Sequence, residues 1–130
     1  MNSRQAMMDA IHGKSNPDVP VWFMRQAGRL FEGYRSLRED YDFKDLCQDA
    51  ELNAEVTCMP VERLNVDAAI IFSDILLPLE SLNAGFELVP GEGPVMDRTV
   101  RSREDVEQLG EPSGASDLDY VYRAIEASVE

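Results

Sequence analysis

Between positions 19 and 38 this 130-residue chain carries four arginines, Arg25, Arg29, Arg35 and Arg38, against one acid, Glu32. Beyond position 38 there are six basic residues and 22 acids, and the formal charge of the whole is −13. Positive charge is therefore concentrated in one segment, and every base in it is arginine. A guanidinium presents a rigid fork of donors matched to a carboxylate or phosphate, which an ammonium does not. Arg25 and Arg29 bracket Gln26-Ala27-Gly28, whose last two residues are small enough to let a ligand approach the backbone. Asp74 stands alone after the apolar run Ala68-Ala69-Ile70-Ile71-Phe72 and Ser73. An anion pocket beside a single carboxylate is the chemistry these residues can perform. The plainer alternatives are arginines that pair with an acidic surface and an aspartate that caps the next helix.

The elements that must position these groups follow from periodicity. Ser3 can cap a short helix with Met7, Met8 and Ile11 on one face, ended by Gly13 in a left-handed conformation. Val19-Pro20-Val21-Trp22-Phe23-Met24 predicts a buried strand running directly into Arg25. Leu30, Tyr34 and Leu37 recur at helical spacing, with Gly33 weakening that helix by about 1 kcal/mol. Asp49 is placed to cap a helix to Leu64 with Leu52, Val56, Met59 and Leu64 inward and a bend at Pro60. Ala68–Phe72 has no polar alternation, the pattern of a parallel strand covered on both faces. Phe86–Val89 predicts a short strand closed by the turn Pro90-Gly91-Glu92-Gly93-Pro94. Ser102 and Asp105 form a capping box, and Leu118, Val121, Tyr122, Ile125 and Val129 stripe a last helix. Two buried strands, each followed by a helical pattern, predict the opening of a parallel α/β layout. Such folds bind ligands at the C-terminal ends of their strands, where Arg25 and Asp74 would lie. The last helix runs to Glu130 with no stop signal, the pattern of a chain cut inside a larger fold.

Composition removes several classes. The acid excess argues against nucleic-acid or acidic-membrane binding, which needs basic charge. No apolar run approaches the roughly 18 residues of a membrane helix, and Met1–Gly13 lacks the apolar core of a signal peptide, so a cytoplasmic protein is expected. With 44% hydrophobic residues the chain can build a core, and one domain is expected. Cys47, Cys58 and His12 cannot make a four-ligand zinc site alone, so no metal is expected, and the cysteines are read as reduced thiols. Gly91-Glu92-Gly93 lacks nucleotide-loop spacing, the acids lack calcium-loop spacing, and no nucleophilic triad can be built around His12.

Pro20-Val21-Trp22-Phe23-Met24-Arg25-Gln26-Ala27-Gly28-Arg29 closely resembles the N-terminal signature of the uroporphyrinogen decarboxylase family, and Phe72-Ser73-Asp74-Ile75-Leu76 resembles its second signature. Ala50 to Asp67 and the Gly91–Pro94 turn also look like the family. The sequence departs from it at Leu30-Phe31-Glu32-Gly33, where the family continues with Tyr-Leu-Pro-Glu. The resemblance implies a (β/α)₈ barrel, of which residues 1–130 would be the N-terminal part, a homodimer, and no cofactor. The implied reaction removes the four acetate carboxyls of uroporphyrinogen III to give coproporphyrinogen III in haem biosynthesis. It makes Asp74 and Arg25 the catalytic candidates, with Arg25, Gln26, Ala27, Gly28, Arg29, Arg38 and Asp74 binding substrate. A barrel takes about 250 residues, so this stretch alone is expected to be inactive and poorly folded. Two other readings stay open: a corrinoid-dependent methyltransferase of the same superfamily, and a non-catalytic piece that binds a tetrapyrrole or a partner subunit.

Overall fold

A computed structural model describes residues 2–89, 91–112 and 114–129. The chain is a mixed helix and strand structure with a small sheet. The helices are α1 (Ser3–Ile11), α2 (Glu32–Asp40), α3 (Phe43–Gln48), α4 (Ala50–Leu64), α5 (Arg103–Glu107) and α6 (Asp119–Val129), with 3₁₀ segments at Leu77–Leu82 and Ala115–Leu118. The strands β1 (Phe86–Val89) and β2 (Gly93–Met96) pair antiparallel, Phe86 opposite Met96. Among the described residues no helix is long and apolar enough to cross a membrane.

The 15-residue α4 organises the rest. Asp49 caps it by accepting the Leu52 amide, and the left-handed Asn65 ends it. Val56 and Met59 turn inward onto Phe31, Tyr34 and Leu46, which gives α2 and α3 an apolar face to close on. Gly33 is what lets α2 approach: a Cβ there would sit 3.1 Å from the Met59 methyl carbon. Leu64, expected inward, is exposed, because the helix ends beyond the neighbours that cover its middle. A second cluster joins Cys47, Leu77 and Phe86, and α6 packs along α4 through the fully buried Ala124. Phe72 touches both clusters.

Local signals were obeyed where their partners lie close in sequence. Ser102 and Asp105 form their capping box. Gly13 is left-handed at φ 67°, whereas Asn2, and not Ser3, caps α1. α3 was not anticipated; a reciprocal box of Asp42 and Asp45 starts it, hidden in a run of acids. The hairpin is shorter-looped than expected, since Gly93 and Pro94 already belong to β2; Pro90 lies outside the described residues.

The larger corrections concern packing. Residues 19–24 form no strand, and Val19, Trp22, Phe23 and Met24 are exposed. Residues 68–72 likewise form no strand and are for the most part half-buried. The expected parallel pair is replaced by single stitches. The Asp67 amide donates to the Val21 carbonyl at 2.8 Å, and the Asp67 carboxylate accepts the Val21 amide at 2.8 Å. A strand is defined by a ladder, and these segments carry side chains suited to a ladder without the neighbours that complete it. The same applies to outward-facing apolar stripes. Tyr122, Ile125 and Val129 from the stripe on α6, and Met8 and Ile11 from the shared face of α1, are exposed.

Candidate functional site

Beyond the Val21–Asp67 stitch both segments reach a shared cavity of about 430 Å³. Met24 to Ala27 line one side, Ile70 to Ile75 the other, and Phe43 of α3 closes the third. Arg25 and Asp74 therefore share one concave surface, of a size that takes small ligands. Arg25 is exposed and Asp74 half-buried, so the cavity opens to solvent on the arginine side.

Asp74 and Gln26 are held by hydrogen bonds to the backbone. Asp74 Oδ1 accepts the Leu76 amide at 2.8 Å, a bond within its own turn that fixes which way the carboxylate faces; it does not cap the next helix, because the 3₁₀ segment Leu77–Leu82 follows Leu76 without a side-chain cap. Gln26, nearly buried, accepts the Phe23 amide at 3.1 Å and donates to the Ala68 carbonyl at 2.8 Å. Its side chain thus bridges the two segments, leaving it little to offer a ligand. Gly28 adopts φ 144°, and a Cβ there would meet open space. Backbone conformation, not room, demands glycine at the turn into α2.

The remaining arginines separate. Arg29 is exposed and does not line the cavity; its carbonyl accepts the Arg35 guanidinium at 2.8 Å. Arg35 thereby braces the turn that carries Arg29. Arg38 donates to the Tyr41 carbonyl at 3.0 Å and borders a second cavity of about 290 Å³ with Lys44 and Glu87. Phe43 lines both cavities and so forms the wall between them. The charges are linked through the core: burial first, then the Asp74 carboxylate, push the Cys47 thiol up to about 12, with Arg38 opposing. Burial likewise raises Tyr34, which the Arg38 and Arg29 charges pull back.

Asn53 and Thr57, which the apolar residues read for α4 did not include, are both fully buried. Asn53 Nδ2 donates to the Phe72 carbonyl at 2.6 Å and to the Cys47 carbonyl at 3.1 Å. Thr57 Oγ1 accepts the Phe72 amide at 3.0 Å and donates to Asn53 Oδ1 at 3.1 Å. The readable signal was their phase: 53, 56, 57 and 60 lie on one helix face, so two polar residues interrupt a buried stripe. Cys47 and Cys58 are free thiols. Among the described residues no group of three or more His, Cys, Asp or Glu is placed to hold a metal ion.

The geometry thus defines a mixed helix and strand protein in which an arginine and an aspartate from separate segments line one cavity. Comparison narrows the class. The family model for uroporphyrinogen decarboxylase matches residues 2–130. Proteins named uroporphyrinogen decarboxylase are similar to this chain in Corynebacterium efficiens, 52% identical over 103 residues covering 79% of this chain and 29% of that protein. The same name applies in Trichlorobacter lovleyi, at 47% over 125 residues, 96% of this chain and 36% of that protein. Carboxydothermus hydrogenoformans has one at 44% over 118 residues, 91% of this chain and 34% of the other. The chain belongs to the uroporphyrinogen decarboxylase family. It spans about a third of the length of these relatives.

Proposed function

We propose that this chain supplies the first staves and helices of a (β/α)₈ uroporphyrinogen decarboxylase and carries its central carboxylate, Asp74. The remaining staves complete the barrel. Support comes from one observation above the others: Arg25 and Asp74 line one cavity at the ends of two adjacent segments. The exposed Val19, Trp22, Phe23 and Met24 are the surface that further staves would cover.

The substrate carries carboxylates around a ring of pyrrole N–H donors. Asp74, purely an acceptor when ionised, faces those donors, and Arg25 orients an acetate. Protonation of a pyrrole ring carbon makes the ring a cation. The electrons of the breaking C–C bond flow into it, CO₂ leaves, and the exocyclic methylene takes a proton as the ring carbon returns its own. Asp74 stabilises the cationic ring, the larger electrostatic contribution to such a step. Because the ring itself is the electron sink, the reaction needs no cofactor. Arg25 binds rather than donates the proton, since a guanidinium is too weak an acid to serve as a proton donor near neutrality. Arg29 and Arg38 are outer carboxylate contacts, and backbone at Gln26, Ala27 and Gly28 shapes the near wall. The complete enzyme works as a cytoplasmic homodimer.

The test fuses this chain to the C-terminal part of the Corynebacterium efficiens relative. The fusion turns uroporphyrinogen over, the 130-residue chain alone does not, and Asp74→Asn in the fusion lowers kcat by at least about a hundredfold. Turnover by the isolated chain, or near-normal kcat in the variant, refutes the assignment.

A further inference from the structure

Phe72 lies two residues before Asp74 and is held through both its backbone and its ring. Its carbonyl accepts Asn53 Nδ2, its amide donates to Thr57 Oγ1, and Thr57 donates to Asn53 Oδ1. These three bonds form a closed ring in which each group has a fixed donor or acceptor role. Its side chain sits edge-on between Tyr34 and Phe43, with ring centroids 5.5 and 5.3 Å away. In a sheet, neighbouring strands would take the Phe72 amide and carbonyl; here two side chains of α4 take both. Asn53 Nδ2 also reaches the Cys47 carbonyl at the end of α3, so the clasp ties α3, α4 and the Asp74 segment together.

We propose that Asn53 and Thr57 are positioning residues for the Asp74 carboxylate, acting through the backbone of Phe72. The proposal rests on the reading of Asp74 given above. From Phe72 the chain has one intervening residue, Ser73, before Asp74, whose Oδ1 is already fixed on the Leu76 amide. A clasp at one end and a turn at the other hold the carboxylate in one orientation toward the cavity. An electrostatic partner that need not reorganise during the reaction is worth most when its supports are rigid and dry. Asn53 and Thr57 do not line the cavity, so their loss acts on it only through the Phe72 segment and leaves Arg25, on the opposite side, in place.

Thr57→Val keeps the shape and removes the acceptor of the Phe72 amide. In the fusion enzyme, amide exchange over residues 72–76 rises at least about tenfold, while exchange in β1 and β2 stays within about twofold. In the fusion enzyme kcat falls at least about tenfold with KM within about threefold, and Thr57→Ser restores both values. If Thr57→Val does not fold, Thr57→Ala, which leaves space for a water in place of the hydroxyl, gives the same split at smaller amplitude. Unchanged exchange over 72–76, uniform loosening of the whole chain, or a KM effect without a kcat effect overturns the clasp. Asp74→Asn is run beside it. Retained turnover there overturns the carboxylate reading and the positioning role with it, whereas loss of turnover there with normal Thr57→Val kinetics overturns the clasp alone.

Discussion

Replacing Gln26 by leucine decides whether this residue recognises a ligand, as its place in the signature suggests, or holds the two segments together, as its hydrogen bonds do. The substitution keeps the volume and deletes one donor and one acceptor. The Ala68 carbonyl and the Phe23 amide both lose their Gln26 partner. Phe23 is 53% exposed, so water can replace that bond cheaply; Ala68 is half-buried and its carbonyl is harder to rehydrate. A hydrogen bond contributes about 1 kcal/mol net and a stranded buried polar group costs about 1–3 kcal/mol. With one group rehydrated and leucine gaining a little from burial, the loss comes to about 1–2 kcal/mol. For a chain of this size the urea midpoint falls by about 0.5–1.5 M. Uroporphyrin binding, followed by porphyrin fluorescence, weakens because the two walls of the cavity lose their register. A variant with the wild-type midpoint and weakened binding would show that Gln26 acts as a ligand contact and would refute the bridging argument.

Other perturbations bear on neighbouring groups. The Val21 amide and the Ser3 hydroxyl hold Asp67 below its ordinary 3.8. The folded chain thus binds that proton less readily than the unfolded one, and stability present above about pH 4 is lost on further acidification. Asp67→Asn should flatten the fall in urea midpoint between about pH 5 and pH 3, and an unchanged slope refutes the stitch. Cys47 stays protonated through ordinary pH, so iodoacetamide at about pH 8.5 should label half-exposed Cys58 well ahead of it, as mass mapping would show; equal rates contradict its burial. Arg25→Lys should weaken uroporphyrin binding by about tenfold through loss of the fork. Arg29→Lys, outside the cavity, should weaken it less, and the reverse order measured by titration refutes the cavity assignment.

How much of this was legible in the sequence depends on how far each signal reaches. Asp49, Ser102 and Gly13 act within one helical turn, and their expected roles are found. The arginine cluster and Asp74 were visible from residue type, and the placing of Arg25 and Asp74 at segment ends followed from the apolar runs before them. Arg29 and Arg38 could not be sorted from Arg25 in advance, because a backbone carbonyl, not another charge, takes the Arg35 and Arg38 guanidinium groups. Periodicity names the face a residue is suited to and says nothing of whether a neighbour is there. Val19 to Met24 and the stripe on α6 have core-type side chains that stay exposed for that reason.

The polar core was missed for a different cause, and it bears most directly on the site. Buried Asn and Thr are uncommon because an unpaired polar group in a dry interior is costly. Pattern reading therefore assigns such residues to the surface. Here the cost is cancelled within the closed ring on Phe72, and a segment that has no strand neighbours receives its backbone partners from a helix instead. The position of the carboxylate at the cavity then depends less on sheet formation than on α4, the best-packed element of the chain. That arrangement lets Arg25 and Asp74 come together even though neither segment that carries them forms a ladder.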